Sequence, residues 1–251
     1  MIDLVLNWIK SHSPSGVLDW DGGNPYPEVT GYLIPTLLKY GEGKLARQYA
    51  DWLLSIQNGD GSFNDQKGQA RIFDTAAIME GLFAIGETEA ASKAKKWLQS
   101  QYLKSGELPI IPGDKHTHIY TARASGLINS RYGRSYWSFD GTWDKRWGSP
   151  QRTHYIAYGL EGLSMLSVDI LEPLEASQKV LNGNLMPYWV KSNWENGGGM
   201  DICATCQFAI LYKQNGLKYQ HMVEAVENYI KQKQSPVLSW TAKFYLDVKH
   251  E

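Results

Sequence analysis

Six segments of the chain place an acid, a base or an aromatic residue at the head of an apolar stretch. These head residues are Glu28, Asp74, His118, His154, Asp201 and Trp240. Successive heads are 46, 44, 36, 47 and 39 residues apart. Carboxylates and imidazoles that are brought together can donate and accept protons, which is general acid–base chemistry. A period of about 40 residues is typical of one helical hairpin per repeat.

Apolar residues recur every three or four positions along the chain, which predicts helices rather than strands. Two kinds of helix alternate. Those that follow the heads, such as 26–40, 73–86 and 153–166, are apolar almost all round. The others are amphipathic, and we predict them at 2–11, 43–57, 88–103, 171–183 and 217–233. A helix that is apolar on every side has to be buried, so the first kind should be inner and the second outer.

Six such hairpins closed in a circle form an (α/α)6 toroid, an all-α fold with two concentric layers of helices. Successive inner helices are then parallel, so all six heads should lie at one end, which we call the mouth. Pro35 should kink the first inner helix. The fourth outer position, 131–150, reads as a long loop, and such a loop is often a lid or a binding element. Residues 1–251 should form one domain, because no linker or charge run divides them.

The composition excludes several function classes. With 43% hydrophobic residues, 20% charged residues and a formal net charge of -1, the chain offers nothing that attracts nucleic acid. A membrane span needs roughly 20 consecutive apolar residues, and we expect none. The first residues lack a basic targeting region, so we expect a cytoplasmic protein. The only two cysteines, Cys203 and Cys206, exclude a framework of disulfides.

The residues at the mouth have two interpretations. Asp74 and Asp201 fit ordinary N-caps, and Glu28 complements a helix dipole. Capping does not explain a histidine at a helix start, because the dipole disfavours a cation there. The histidines could therefore be either site residues or hydrogen-bonded core residues. The predicted catalytic set is His118, His154, Glu28, Asp74, Asp201 and Tyr158.

Aromatic and arginine residues near the loops and helix heads form a second candidate set. Flat rings suit the faces of pyranose sugars, and arginines could clamp a carboxylate or a phosphate. Equally, the rings could wedge hairpins together and the arginines could balance the acids. The predicted substrate-binding residues are Tyr26, Tyr32, Tyr120, Arg123, Trp137, Trp143, Arg152, Tyr155, Trp194 and Trp240.

A second repeated pattern places an aromatic residue four or five positions before a glutamine at the ends of outer helices. It occurs at 52–63 and 97–101, and weakly at 229–234. In this pattern the chain resembles the toroid superfamily of terpene cyclases and protein prenyltransferases. Segments 26–38, 73–75, 153–163 and 240–247 resemble bacterial proteins of polysaccharide gene clusters that carry prenyltransferase-like repeats. They resemble more distantly the C-terminal domain of glucuronyl C5-epimerases. The resemblance implies the toroid fold and a carbohydrate-active role.

The chain departs from the cyclases and prenyltransferases at their motifs. The Asp-x-Asp-Asp motif of class II terpene cyclases is missing, and 19–21 (Asp-Trp-Asp) lacks its last acid. Asp201 and Cys203 match half of the prenyltransferase zinc site, but the next inner helix offers no histidine as third ligand, so we expect no zinc and no other cofactor. Cys203 and Cys206 also fit a redox Cys-x-x-Cys motif, although two buried thiols are the favoured interpretation.

Three functions are open at this point. The first is an enzyme that binds an anionic or polyhydroxylated glycan at the mouth and uses histidine and carboxylate groups for hydrolysis, elimination or epimerisation. The second is a non-catalytic glycan- or protein-binding scaffold in polysaccharide biosynthesis, which predicts no histidine of perturbed pKa at the mouth. The third is an isoprenoid-substrate enzyme, which predicts a deep apolar funnel. The oligomeric state is open as well.

Overall fold

The structure is a computed structural model that describes residues 1–13, 25–130, 151–191, 193–236 and 239–250, with only the backbone at 239–240. Its α-helices are α1 (Ile2–His12), α2 (Pro27–Lys39), α3 (Gly43–Ile56), α4 (Ile72–Ala84), α5 (Thr88–Ser100), α6 (Thr121–Leu127), α7 (Thr153–Met165), α8 (Leu171–Ser177), α9 (Ile202–Gln214), α10 (Gln220–Lys233) and α11 (Ser239–Lys249). A 3-10 turn, Gln178–Val180, extends α8. Strands β1 (Gln151–Arg152) and β2 (Trp189–Val190) pair antiparallel.

The helices form a closed double ring. Helix α2 contacts α4, and the contacts continue through α6, α7, α9 and α11 back to α2. Outside this inner ring, α3 packs on α2 and α4, α5 packs on α4, α8 packs on α9, α10 packs on α9 and α11, and α1 packs on α11. The predicted all-α toroid is therefore confirmed. The predicted loop at 131–150 lies outside the described residues.

Burial separates the two layers as the sequence predicts. Inner helix α4 buries residues on all sides between Ile72 and Leu82. Outer helix α3 buries one stripe, formed by Ala46, Tyr49, Ala50 and Leu53. That spacing of three and four positions is one face of an amphipathic helix. Among the described residues, no helix is both long enough and apolar enough to cross a bilayer.

Glycines allow neighbouring inner helices to touch through their backbones. A Cβ atom at Gly81 of α4 would collide with the carbonyl oxygen of Gly31 in α2. Helix α2 continues through Pro35, so the proline does not end it. Because proline has no N–H, the Gly31 carbonyl lacks its usual partner four residues on, and α4 packs against this carbonyl instead. Gly162 of α7 meets the backbone of Ala122 in α6 in the same way.

Buried threonines near the starts of four inner helices hold neighbouring loops. Three of their hydroxyls bond to a backbone group 12 to 19 residues earlier in the chain, and the hydroxyl of Thr153 bonds to Pro187, 34 residues later. The pairs are Thr75 with Phe63, Thr121 with Leu108, Thr153 with Pro187 and Thr205 with Met186. Loops and helix starts are thereby fixed relative to one another, which positions the side chains at the mouth.

Two expectations about helix starts are wrong. Helix α6 begins at Thr121, so His118 lies in the loop before it; the His118 carbonyl accepts bonds from the Thr121 amide (3.0 Å) and hydroxyl (2.7 Å) in a preceding turn. Asp74 is not an N-cap, because α4 begins at Ile72 and Arg71 holds the cap position. Asp201 is an N-cap, since its carboxylate accepts a bond from the Ala204 amide at 2.8 Å.

Candidate active site

The N-terminal ends of the inner helices surround a chamber of about 750 Å³. It lies at the mouth that the sequence predicts. Its lining consists of Tyr26, Glu28, Asp65, Gln66, Arg71, Phe73, Asp74, Tyr120, Arg152, His154, Tyr155, Tyr158, Tyr188, Asp201 and Cys203. Tyrosine rings and charged groups dominate this list, so the chamber offers flat apolar faces together with many hydrogen-bonding groups.

The chamber brings together most of the predicted site residues. From the catalytic set these are Glu28, Asp74, His154, Tyr158 and Asp201, and from the binding set Tyr26, Tyr120, Arg152 and Tyr155. His118 stands next to the lining, with its ring centroid 4.7 Å from that of Tyr120 and 5.2 Å from that of Tyr155.

Other predicted residues do not line the chamber, contrary to expectation. Tyr32 lies deeper along α2, and together with Arg123 it lines a second, separate cavity. Trp194 follows β2 and is buried, with its ring 6.4 Å from that of Phe208. Trp137 and Trp143 lie outside the described residues, as does the side chain of Trp240.

Two buried carboxyl groups stand on the adjacent helices α2 and α4. Burial, together with the charge of Asp74, raises the pKa of Glu28 to about 8. Burial and the charge of Asp65 raise the pKa of Asp74 to about 7. Tyr26 forms a hydrogen bond with the Glu28 carboxyl, whereas Asp74 Oδ2 has no hydrogen-bond partner among the described residues. Near neutral pH this carboxyl pair therefore holds a proton that it can donate.

A histidine and a carboxylate form a second group in the same chamber. The His154 Nδ1 atom lies 3.4 Å from Asp201 Oδ2. Asp201 is itself fixed because it caps α9. The His154 ring also packs against Tyr155, with the ring centroids 4.3 Å apart. A carboxylate beside one ring nitrogen orients the imidazole and leaves the other nitrogen for a substrate.

The second histidine is neutral near pH 7. Burial lowers the pKa of His118 to about 4, the charge of His154 adds to this effect, and a hydrogen bond between the His118 ring and the Gln151 side chain opposes it. A neutral imidazole next to Tyr120 and Tyr155 can accept or donate a hydrogen bond without carrying a charge.

Arg152 is held among aromatic rings. Its Cζ atom lies 5.8 Å from the ring centroid of Tyr155, 5.2 Å from that of Tyr188 and 5.6 Å from that of Trp189. The pairing of β1 with β2 sets this arrangement, because Arg152 stands opposite Trp189 in the two strands. In the described part of the chain, no carboxylate forms an ion pair with Arg152. Its guanidinium can therefore accept an anionic group of a ligand.

Sequence reasoning missed several lining residues in the loop before α4. Asp65 accepts bonds from the amides of Lys67 (2.8 Å) and Gln69 (3.0 Å) and from the Nε atom of Arg71 (2.8 Å). This loop places Asp65, Gln66 and Arg71 at the chamber. The signal that could have found them is the repeat itself, since every loop that leads into an inner helix reaches the mouth.

The described residues contain no group of three or more His, Cys, Asp or Glu side chains arranged to hold a metal ion. Cys203 and Cys206 are free thiols. Burial raises the pKa of both thiols, and the charge of Asp201 adds to the effect. Such cysteines are protonated and poorly nucleophilic. Cys206 is buried as expected, whereas Cys203 is half-buried and lines the chamber.

No family model and no curated protein matches the chain by sequence. Solved structures match it in fold. PssZ from Listeria monocytogenes is similar with a TM-score of 0.75 at 11% identity, over 98% of this chain and 95% of that chain. A protein described as a novel alpha-amylase from Clostridium perfringens has a TM-score of 0.74 at 10% identity, over 98% and 96%. The type II terpene cyclase MstE from Scytonema has a TM-score of 0.62 at 15% identity, over 93% and 79%. This chain therefore shares the helical-toroid fold of these proteins.

Proposed function

We propose that the protein is a glycan-modifying enzyme that binds an anionic or polyhydroxylated glycan in the chamber and carries out acid–base chemistry on it. One observation carries this proposal: a buried carboxyl pair, Glu28 and Asp74, holds a proton near neutral pH in the same chamber as His154 and its partner Asp201. A proton donor and a proton acceptor in one cavity are the minimum that such chemistry requires.

The proton donor and the proton acceptor have distinct roles. A general acid works best when its pKa lies near the working pH, and Glu28 meets this condition. In hydrolysis, Glu28 would protonate the glycosidic oxygen while the imidazole of His154 activates water. In elimination or epimerisation, His154 would remove the proton from the carbon next to a uronate carboxylate, and Arg152 would neutralise that carboxylate. The same groups serve both classes, so the reaction has to be identified by experiment.

The tyrosines supply the argument for a sugar. Burial raises the pKa of Tyr26, Tyr120, Tyr155 and Tyr158, so each remains a phenol. A phenol in a binding site offers a flat ring face together with a hydroxyl group that donates and accepts hydrogen bonds. Sugars present the same combination of apolar ring faces and hydroxyl groups.

Two observations weigh against the alternative functions. A non-catalytic scaffold predicts no histidine of perturbed pKa, yet burial lowers the pKa of His118 to about 4. An isoprenoid enzyme predicts an apolar funnel, yet six of the residues that line the chamber, among them Glu28, Asp74 and Arg152, carry ionisable acid or guanidinium groups between the aromatic rings. Among proteins of the same fold, one is described as an alpha-amylase and another as a terpene cyclase, so the fold alone leaves both enzyme classes available.

The first test is a thermal-shift screen. Purified protein is mixed with uronic acid oligosaccharides, neutral oligosaccharides, sugar nucleotides and isoprenyl diphosphates. A ligand that binds the folded state raises the unfolding midpoint by mass action. The proposal expects an increase with oligosaccharides that disappears in His154→Ala. His116→Ala is the matched control, because the His116 ring is exposed outside the chamber.

The outcomes separate the three functions. An increase only with isoprenyl diphosphates contradicts the glycan proposal, and no increase with any ligand favours a scaffold with a protein partner. For an oligosaccharide that binds, chain cleavage, formation of an unsaturated uronate and exchange of deuterium at C5 identify the reaction. Glu28→Gln should bind this oligosaccharide but turn it over about 10²- to 10⁴-fold more slowly, because general acid catalysis contributes factors of that size.

A further inference from the structure

A second cavity, of about 200 Å³, opens at the opposite end of the toroid. Its rim includes Lys39 and Gln214, which are exposed and are the last residues of α2 and α9. The chamber lies at the other ends of these helices. Tyr158 lines the chamber, and the Cζ atom of Arg123, which lines the second cavity, is 5.9 Å from the Tyr158 ring centroid. The two cavities are nevertheless separate, because they have no lining residue in common.

Two buried donors in this cavity lack partners. Arg123 is almost wholly buried; its Nε atom bonds to Glu161 at 2.9 Å and its Nη2 atom bonds to Glu80 at 2.7 Å. Its Nη1 atom has no hydrogen-bond partner among the described residues, and neither does Nε2 of the buried Gln207. The Oε1 atom of Gln207 accepts a weak bond from Cys203 Sγ at 3.9 Å. Buried donors without acceptors are costly. Arg123 and Gln207 both line this cavity, so an oxygen atom of a ligand that reached these two donors would satisfy them.

The charges around the cavity favour a neutral ligand. Arg123 already forms ion pairs with two carboxylates, so an anionic ligand would be a third negative charge beside one guanidinium group. The ammonium group of Lys243 is paired with Asp247 at 2.7 Å. The C-terminal ends of helices also carry partial negative charge, which disfavours an anion. A hydroxyl group avoids these penalties, because it can accept bonds from Arg123 and Gln207 and donate its own proton to a carboxylate.

The remaining lining matches the shape of a small polyol. Glu80 and Glu161 each use the Oε2 atom for Arg123, so the Oε1 atom of each can accept a hydroxyl proton. Tyr32 and Phe244 contribute ring faces, with centroids 5.9 Å apart. Pockets for drug-sized ligands measure roughly 300 to 1,000 Å³. A cavity of about 200 Å³ therefore limits the ligand to about one sugar ring.

From these contacts we infer that the second cavity binds a small neutral polyhydroxylated molecule, such as a single sugar unit or a cyclitol. Arg123 Nη1 and Gln207 Nε2 donate to its hydroxyl oxygens, and Glu80 and Glu161 accept its hydroxyl protons. This inference does not depend on the function proposed for the chamber.

Ligand-observed NMR tests the site with glucose, galactose, myo-inositol and glycerol as neutral probes and inorganic phosphate and acetate as anionic probes. We expect at least one neutral probe to bind the wild-type protein. Gln207→Leu removes one donor at similar volume and should weaken this binding at least about tenfold, the effect of losing one well-formed hydrogen bond. Glu224→Gln is the matched control; Glu224 is exposed on α10 and lines neither cavity, so this variant should bind the neutral probe as the wild type does.

Several results would overturn the inference. These are equal binding by Gln207→Leu and the wild type, binding of the anions in place of the polyols, and no binding of any neutral probe. Crystals of the wild type soaked with the polyol give a readout that does not require the variant to fold. Hydroxyl oxygens within hydrogen-bond distance of Arg123 Nη1 and Gln207 Nε2 are expected there, and ordered water alone at both atoms contradicts the inference.

Discussion

Glu28→Gln should stabilise the protein at alkaline pH and change its stability little near pH 5. Burial raises the pKa of Glu28 from its ordinary value of 4.5 to about 8 in the folded state. Between these two values the folded state binds more protons than the unfolded state, so the free energy of unfolding falls as the pH rises. Glutamine has nearly the same shape and never ionises, so the variant should not show this loss.

The structure sets the size of the effect. Each tenfold change in proton affinity corresponds to about 1.4 kcal/mol, so the raised pKa of Glu28 corresponds to at most ~5 kcal/mol above pH 8. In the wild type, the charge of Arg123 attracts the ionised Glu28 carboxylate and lowers its pKa. The glutamine amide lacks this attraction, which reduces the gain in stability. We therefore expect Glu28→Gln to gain ~2 to 4 kcal/mol at pH 9 relative to the wild type, and close to zero at pH 5.

Urea denaturation between pH 5 and pH 9 measures this difference. Asp74→Asn should behave in the same way, but its gain should be acquired below pH 7 and stay constant above it, because the pKa of Asp74 is raised from 3.8 to about 7. Glu224→Gln is the control, since Glu224 is exposed on α10. If the difference between Glu28→Gln and the wild type is the same at every pH, then Glu28 is not held protonated and the assignment of a proton donor is wrong.

Three further predictions concern the framework. Gly81→Ala should lower the free energy of unfolding, measured in urea, by ~2 kcal/mol or more, because the new Cβ meets a backbone carbonyl. The control Gly43→Ala should be neutral or slightly stabilising, because no atom lies within 4 Å of the new Cβ. Equal losses in the two variants would contradict the close helix contact. Arg123→Met should cost ~3 kcal/mol and lower the calorimetric Tm, because it leaves two carboxylates without their partner; an unchanged Tm would show that the carboxylates are hydrated. Asp201→Ala should cost ~1 kcal/mol and speed hydrogen exchange at the Ala204 amide, which it caps; unchanged exchange would exclude the cap.

The spacing of the six repeats predicted which residues surround the mouth, because this spacing decides which residues lie at the same end of parallel inner helices. Glu28, His154 and Asp201 lie at the mouth for this reason. His118 does not follow the rule. A turn closed by hydrogen bonds to the His118 carbonyl precedes α6, so the helix begins three residues after His118. The spacing of the repeats does not predict such local hydrogen bonds.

Arg123 shows a different limit. The sequence places this arginine in an inner helix but does not tell which end of the helix its side chain reaches. Its partners Glu80 and Glu161 are 43 and 38 residues away. All three residues lie five to seven positions after the head residues of their own repeats. The repeat could therefore have predicted that they lie at a similar depth along the inner helices. The raised pKa values of Glu28 and Asp74 could not be predicted, since they depend on burial in the folded state.

The aromatic side chains beneath the chamber determine the path that a ligand can take. The ring of Tyr158 lies 6.0 Å from that of Phe244, and Phe244 lies 5.9 Å from Tyr32. Tyr32, Phe244 and Arg123 line the second cavity and Tyr158 lines the chamber, so these side chains lie between the two cavities. A long polymer therefore cannot thread through the toroid. If the chamber acts on a polymer as we propose, the polymer has to present an end or lie across the rim, and the product has to leave through the opening by which the substrate enters.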